Sequence, residues 1–235
     1  MPFIDIHTHK APRSGILSIR NIRWGKKGHF EGLKAIQNDM IVDAISIGLH
    51  PWDAQWDQQA PNWHELATLL ENENVYFLGE TGLDYIKKEN LSQQELAFHK
   101  QIELSQKIKK PILIHCVRAL SEILSEKTSR KIEGPWVLHD FNGNSQEIQA
   151  AMKHGCYISL GKNMMRDNTK VVKALMAIKR DRLFFETDEN DYSIEEVYQR
   201  YCELSGIGEK GLLELCEQVE NNFKTLFALK SLPFY

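Results

Sequence analysis

The chain has 235 residues, a hydrophobic fraction of 42% and a formal net charge of −3 at pH 7. This length fits one domain, and α/β barrels commonly reach it undivided. The charge balance excludes a protein held on long duplexes by a broadly basic surface, but not an enzyme that grips one strand end. We therefore expect a single domain over residues 1–235 with a sizeable hydrophobic core.

The cysteines and the N-terminus indicate the compartment. Cys116, Cys156, Cys202 and Cys216 form no CxxC pair, and charged residues interrupt the N-terminal apolar run. We find no secretory segment and no apolar run of transmembrane length. These features predict reduced thiols, a cytoplasmic location and no membrane partner.

Eight short apolar runs recur along the chain, and helical patterns separate most of them. The runs are 3–6, 16–19, 44–47, 75–78, 112–114, 136–138, 157–160 and 183–185. Several lack polar alternation, which is typical of parallel strands covered on both faces. The sequence therefore predicts an eight-stranded parallel α/β fold.

Capping and stop signals predict where the helices begin and end. The signals are a capping box at 92–95, a second at 193–196, Pro61 in the first turn of a helix ending at Leu70, and Ser145 capping a helix over 146–153. A last helix over about 209–228 carries an apolar stripe typical of core packing. Residues 10–15 are too short for a helix. We predict a (β/α)8 TIM barrel with a missing or degenerate first helix, with a doubly wound sheet as the alternative.

The first run ends in two histidines, His7 and His9, one residue apart. Side chains at i and i+2 of a strand point to the same side, so both imidazoles can reach one divalent ion. Active-site residues of such barrels lie at the carboxyl ends of the strands. One further run leads into His50, and another ends in Glu80. Three more runs end in candidate metal ligands, which are named in the next paragraph.

The candidate metal ligands are His7, His9, Glu80, His115, His139 and Asp188. Six ligands exceed the need of one tetrahedral zinc ion, whereas two ions sharing a carboxylate would use them all. Glu80 is the natural bridge because a carboxylate has two oxygen atoms. Mixed nitrogen and oxygen donors select no single metal, so Mg, Mn, Zn, Ni and Co all fit.

The ordered motifs resemble the TatD family of metal-dependent hydrolases, within the amidohydrolase-like barrels. The matching segments are DIHTH at 5–9, GLHP at 48–51, GETGLDY at 79–85, PILIH at 111–115, HDFNG at 139–143, ETD at 186–188 and NF at 222–223. The resemblance spans nearly the whole chain. It implies a TIM barrel, two bound divalent metal ions and hydrolysis of phosphodiester bonds at DNA ends.

The resemblance also implies a role for each ligand. His7 and His9 would hold one ion, His115 and His139 the other, and Glu80 would bridge the two. These assignments follow from the match to the family motifs and leave the substrate open.

Asp188 would bind metal and accept the proton of the attacking water, so Asp188 and Glu80 are the implied catalytic residues. The chain departs from the family pattern at Glu189, at Arg118, which stands one position late, and at Asp140, where a cysteine is usual. None of these changes removes a ligand, but they alter the loops expected to contact the substrate.

Three residues are secondary candidates for substrate binding. His50 could bind a phosphate, orient a substrate or simply occupy a turn. Arg118 could pair with a phosphate or lie solvated at a helix start. Asp84 could position a ligand histidine or pack within its loop.

A basic and aromatic loop is also expected near the second run. Its residues are Arg20, Arg23, Trp24, Lys26 and Lys27. Such a mixture can hold single-stranded nucleic acid by stacking and charge, and the alternative is a solvated loop.

Three functions fit these features. The first is a phosphodiesterase or deoxyribonuclease that acts on DNA strand ends or a small phosphodiester through a water activated by two metals. The second is an amidohydrolase-like enzyme for a small ester, lactone or amide. The third is a non-catalytic metal-binding barrel, against which the complete ligand set argues.

Overall fold

The computed structural model describes residues 2–25, 44–56 and 61–232. Its eight strands follow one another in chain order in a single sheet. Their bounds are β1 Phe3–Thr8, β2 Ile16–Arg23, β3 Ile45–Gly48, β4 Val75–Asp84, β5 Ile112–Val117, β6 Trp136–Leu138, β7 Tyr157–Leu160 and β8 Leu183–Phe185. Every pairing whose register is described is parallel. All eight predicted strands are confirmed, and β2 and β4 extend well past their predicted ends.

In the ranges that the structure describes, helices follow the strands from β3 onward. Their bounds are α1 Trp63–Leu70, α2 Leu91–Ile108, α3 Leu120–Ser129, α4 Ser145–Lys153, α5 Lys162–Met165, α6 Lys170–Ala174, α7 Ile194–Ser205 and α8 Leu212–Leu226. The connection over 10–15, which the structure describes, contains no helix. Consecutive strand order excludes the doubly wound alternative, whose order reverses within the sheet. The prediction of a (β/α)8 TIM barrel without its first helix is confirmed.

The chain packs as two compact units. The first comprises the residues up to Ser18 and those from Val137 onward, and the second comprises Ile19–Trp136. The expectation of a single domain stays a prediction. In the described ranges, every helix falls short of the length and apolarity needed to span a bilayer.

The core of the second unit lies between strands and two helices. Ile45 and Ile47 of β3 pack with Leu66 of α1 and Ala97 of α2, and all four are buried. Burying one such aliphatic side chain contributes about 1.5–3 kcal/mol. These contacts fix the positions at which β3 and β4 end, and the polar residues follow at those ends.

The core of the first unit is built around Tyr198 of α7. Its ring lies 4.3 Å from the ring of Phe185 at the end of β8. The buried hydroxyl donates to the carbonyl of Ile4 at 3.1 Å, which leaves no polar group unpaired at this end of the phenol. Tyr198 thereby ties α7 to β1 near the start of the strand that carries His7.

Three predicted helix starts are wrong by one or two residues, and one is confirmed. Pro61 precedes α1, which begins at Trp63 after the N-cap Asn62. Ser92 lies inside α2, which begins at Leu91 without a side-chain cap. Asn144, not Ser145, caps α4 and forms the capping box with Glu147. The capping box of α7 between Ser193 and Glu196 is present as predicted. Asparagine and serine cap equally well, so pattern alone does not choose between neighbours.

The Asn222-Phe223 motif has a structural role. The side-chain amide of Asn222 in α8 donates to the carbonyls of Arg180 and Leu183 at 2.7 and 2.9 Å. It thereby satisfies backbone acceptors at the start of β8. Phe223 is fully buried beside it.

We expect Asn222→Asp to lower the free energy of unfolding by about 1–3 kcal/mol, because a carboxylate would face two carbonyl oxygens without a donor. Denaturant unfolding followed by circular dichroism measures the change. The adjacent exposed Asn221 provides the matched control, and Asn221→Asp should be nearly neutral. Equal stability of the two variants would contradict this role for Asn222.

Candidate metal centre

The first cluster of metal donors lies in the first unit, where β1 and β8 end. His7 Nε2 lies 3.4 Å and His9 Nε2 lies 3.5 Å from Asp188 Oδ1. His7 is fully buried, whereas His9 and Asp188 are partly exposed. The alternation of β1 thus presents both imidazoles to one carboxylate, as the HxH spacing predicts.

Backbone hydrogen bonds place Asp188 beside the histidines. Asp188 N donates to the His7 carbonyl at 3.0 Å, and His9 N donates to the Asp188 carbonyl at 3.2 Å. Asp188 has a φ of 51°, in the left-handed region that aspartate tolerates better than most residues. The chain therefore turns sharply after β8 and directs this side chain to the end of β1.

Asp5 supports this junction from within β1. Its two carboxylate oxygens accept from Thr187 N at 3.0 Å and Thr187 Oγ1 at 2.7 Å. Burial raises the pKa of Asp5 to about 7 despite these hydrogen bonds. Asp5 therefore positions Thr187, the residue before Asp188.

His139 follows β6, also in the first unit, and is oriented by Glu186. His139 Nδ1 lies 3.1 Å from Glu186 Oε1, and the same oxygen accepts from Asp140 N at 2.8 Å. Glu186 is fully buried. A carboxylate held against Nδ1 leaves Nε2 as the metal-binding nitrogen and fixes the ring orientation. The ring of His139 lies 4.8 Å from that of His7, centroid to centroid.

Asp140 stands directly after His139, where the family usually has cysteine, and its side chain is held by hydrogen bonds. Its two oxygens accept from Asn163 N at 2.9 Å and Asn163 Nδ2 at 2.8 Å. Burial, and then the negative charge of Glu186, raise the pKa of Asp140 to about 7. The residue therefore connects the β6 loop to α5 through Asn163.

The second cluster lies in the second unit, where His50 follows β3 and the other two residues, Glu80 and His115, lie within β4 and β5. Glu80 Oε1 lies 3.0 Å from His50 Nε2 and 2.7 Å from His115 Nδ1. All three side chains are buried. His50 was a secondary candidate in the sequence, and the structure brings it directly to the predicted bridging carboxylate.

The tautomer of His50 follows from its partners. His50 Nδ1 accepts from Trp52 N at 3.1 Å and lies 3.4 Å from Arg23 Nη2, another donor. The proton of the neutral ring therefore resides on Nε2, which donates to Glu80. Burial lowers the pKa of His50 although Glu80 opposes the shift. His50 is thus a neutral N–H donor and is a weaker candidate for a metal ligand than His115.

Close packing explains the glycines on either side of Glu80. A side chain at Gly79 would overlap the backbone of Leu113, and one at Gly82 would overlap the carbonyl of His115. Both have positive φ, of 149° and 142°, which favours glycine. The GETG motif therefore lets β4 approach β5 closely enough for Glu80 to reach His115.

Asp84 ends β4 and supports the other face of His115. Its Oδ2 accepts from Trp52 Nε1 at 2.7 Å and lies 3.4 Å from His115 Nε2. Burial opposes ionisation, but the contacts with His115 and Trp52 outweigh it and hold the pKa of Asp84 below its ordinary value. Asp84 is thus buried against a ligand histidine, as the positioning alternative predicted.

Two of these groups can each hold a metal ion. Within each group, one donor atom per residue lies within 4.8 Å of the others. The groups are His7 with His9 and Asp188, and His50 with Glu80 and His115. Imidazole nitrogens and carboxylate oxygens fit a divalent transition metal ion or Mg²⁺. The donor chemistry therefore fits the metal dependence that the motifs imply.

The structure corrects the expected basic loop. Arg20 and Arg23 belong to β2, and Trp24 is buried, with its ring 5.6 Å from that of Trp63. Arg23 is also buried and pairs with Asp53. These three residues therefore belong to a strand or to the core, although their composition is typical of a loop. Lys26 and Lys27 lie outside the described residues.

Arg118 remains an exposed candidate for substrate binding immediately after β5.

The sequence did not indicate three further site residues: Glu186 as the partner of His139, Trp52 as the partner of Asp84, and Tyr192. Within the described residues, the buried Tyr192 hydroxyl makes no hydrogen bond. Burial, and then nearby carboxylates, raise the pKa of Tyr192. Only their position in the sequence could have indicated two of them, since Glu186 and Trp52 each stand two residues from a candidate site residue.

Glu186→Gln should weaken metal binding by about 10- to 100-fold, because the amide orients His139 less firmly than the carboxylate does. Titration with Mn²⁺ followed by calorimetry measures this affinity. Thermal unfolding of the same variant measures the accompanying change in stability. Unchanged metal affinity would leave Glu186 as a purely structural residue.

Comparisons with known proteins indicate the family of this chain. A family model described as "TatD related DNase" matches residues 5–228. An uncharacterized metal-dependent hydrolase of Buchnera aphidicola is 32% identical over 66% of this chain and 59% of its own length. A 3′-5′ ssDNA/RNA exonuclease TatD of Edwardsiella piscicida is 32% identical over 61% of this chain and 56% of its own. The matches thus span less than two thirds of these relatives.

Solved structures share the fold across almost the full chain. The crystal structure of YJJV, a TATD homolog from Escherichia coli K12, superposes with a TM-score of 0.80 at 20% identity. The alignment covers 97% of this chain and 98% of that one. A hydrolase of the TatD family from Entamoeba histolytica gives a TM-score of 0.78 at 19% identity, over 96% and 98% of the two chains.

Proposed function

The chain belongs to the TatD-related DNase family, and on that premise we propose that it is a metal-dependent hydrolase that cleaves phosphodiester bonds at the ends of nucleic acid strands. The observation that carries the proposal is the cluster of His7, His9 and Asp188. Its carboxylate lies within 3.5 Å of both imidazoles and is partly exposed, so it can serve a metal ion and a substrate together.

We assign one divalent ion to His7, His9 and Asp188. A second would be held by Glu80 and His115, and His139 is predicted to complete the ligand set. The bridging role of Glu80 also stays a prediction. The chain's donors are compatible with Mg, Mn, Zn, Ni or Co, so the metal must be identified by analysis.

When bound, the ions would acidify water and stabilise the charge that develops on the phosphate oxygens. Asp188 is positioned to accept the proton of the attacking water because its carboxylate is partly exposed. His50 donates its Nε2–H to Glu80 and so orients the carboxylate that would hold the second ion. Asp84 and Glu186 hold the rings of His115 and His139 in place and need not touch the substrate.

A single-stranded end is the proposed substrate. Two considerations support it: the relative from Edwardsiella piscicida is named a 3′-5′ ssDNA/RNA exonuclease, and the present chain has a net charge of −3. A protein of this charge gains little from general attraction to a polyanion. Binding would therefore depend on local contacts at the site.

The test is hydrolysis of labelled single-stranded DNA by protein loaded with Mn²⁺, beside a panel of esters, lactones and amides. Metal-dependent shortening of the DNA from one end supports the proposal. Turnover confined to a lactone, ester or amide would make the chain a small-molecule hydrolase. No turnover of any substrate at full metal occupancy would favour an inert metal-binding barrel.

A further inference from the structure

Trp52 exposes a large aromatic side chain beside the second metal-donor cluster. It is 45% exposed, although it directly follows the buried His50-Pro51 pair. Its ring centroid lies 4.9 Å from that of His50 and 5.9 Å from that of His115. Both contacts are edge-to-face. The sequence interpretation did not assign any role to this residue.

The indole is held in one orientation. Its Nε1 donates to Asp84 Oδ2 at 2.7 Å, and its backbone N donates to His50 Nδ1 at 3.1 Å. These two bonds anchor both ends of the residue in the short 3₁₀ turn Pro51–Asp53. A ring that is already ordered loses little conformational entropy when a ligand stacks on it. The exposed part of the indole ring is therefore already ordered before a ligand binds.

Two cationic side chains lie over the ring. Lys87 Nζ lies 5.5 Å and Arg23 Cζ lies 5.9 Å from the ring centroid. The Arg23 guanidinium is paired with Asp53, whereas Lys87 is on the exposed surface. Ile86, 57% exposed, extends the apolar surface, and its backbone N donates to Asp84 Oδ1. An aromatic face with a neighbouring ammonium group suits a base and its phosphate.

We propose that Trp52 is a stacking surface for a nucleobase of a single-stranded substrate, next to the bond that is cleaved. This inference rests on the proposed function and extends it to the recognition of the base. Lys87 would contact the phosphate of the same nucleotide or its neighbour. Stacking requires an unpaired base whose face is free, so the surface favours single strands over duplexes.

A structural role for Trp52 is the competing explanation. The ring could serve only to hold Asp84 against His115. Trp52→Phe keeps an aromatic face but loses the Nε1 donor, whereas Trp52→Leu loses both. A stacking role predicts that phenylalanine rescues binding of the base. A purely structural role predicts that the two variants behave alike.

The experiment compares two oligonucleotides with the same sugar–phosphate chain, one with bases and one with abasic tetrahydrofuran units. Hydrolysis by Mn²⁺-loaded protein and fluorescence anisotropy of end-labelled strands are both measured. For the base-containing strand, we expect Trp52→Leu to raise KM and Kd by about 5- to 100-fold relative to Trp52→Phe, which also lacks the Nε1 donor to Asp84. For the abasic strand, the two variants should behave alike.

Met176 supplies a matched control, since it is a large apolar side chain that is 72% exposed. Met176→Ala should leave binding of both strands unchanged. Equal loss on the two strands in Trp52→Leu, or no loss on either, would overturn the inference. Wild-type protein that binds the two strands equally would also overturn it, without depending on any variant.

Failure of the proposed function gives a different result. In that case wild-type protein hydrolyses neither strand, and the anisotropy measurement alone decides the inference. Preference of the wild type for the base-containing strand, lost in Trp52→Leu and kept in Trp52→Phe, would still support stacking.

Discussion

Asp188→Asn should lower kcat by about 10²–10⁴-fold, the usual range for the loss of a general base. The asparagine keeps the shape of the side chain and one oxygen donor but cannot accept a proton. Asp188 is held beside His7 and His9 by backbone hydrogen bonds that do not involve its carboxylate. We therefore expect the variant to fold normally and to retain most of its substrate binding.

The measurement is steady-state hydrolysis of single-stranded DNA at confirmed metal occupancy. Asp191, an exposed aspartate three residues further on, provides the control, and Asp191→Asn should retain parental turnover. If Asp188→Asn with full metal content works within a few-fold of the parent, another group is the base. Loss of the metal together with activity would show that Asp188 acts mainly as a ligand.

The second large effect concerns metal content. Elemental analysis of protein saturated with Mn or Zn should approach two ions per chain, and removal of both by a chelator should abolish hydrolysis. His115→Ala removes a donor that lies 2.7 Å from Glu80. We expect it to lose one ion, while the ion at His7, His9 and Asp188 remains at least partly bound.

His64 is exposed on α1, and His64→Ala should keep the full metal content of the parent. A maximum of one ion per chain under every loading condition would contradict the two-metal proposal. If His115→Ala emptied both positions, the two donor groups could not be treated as separate sites.

Local sequence patterns predicted the structure correctly wherever a short-range rule decides it. Strand periodicity alone predicts that His7 and His9 point to one side, and the apolar runs predict all eight strands. Capping was less secure, because Asn90, Ser92, Asn144 and Ser145 offer competing starts within two residues. The composition around Arg23 and Trp24 led to the wrong prediction of a loop, because strand pairing and burial are not local properties.

The sequence by itself determined the number of the strands, the residue types that follow their apolar runs and the family to which the motifs point. Only the tertiary structure decided which of these residues meet. Asp188 reaches His7 and His9 because β8 lies beside β1. Glu80, inside β4, meets His50 because β3 ends beside the middle of β4. The pairing of Glu186 with His139 and the exposure of Trp52 likewise depend on contacts between segments that are distant in sequence. Such contacts follow from packing, for which a single sequence carries no local signal.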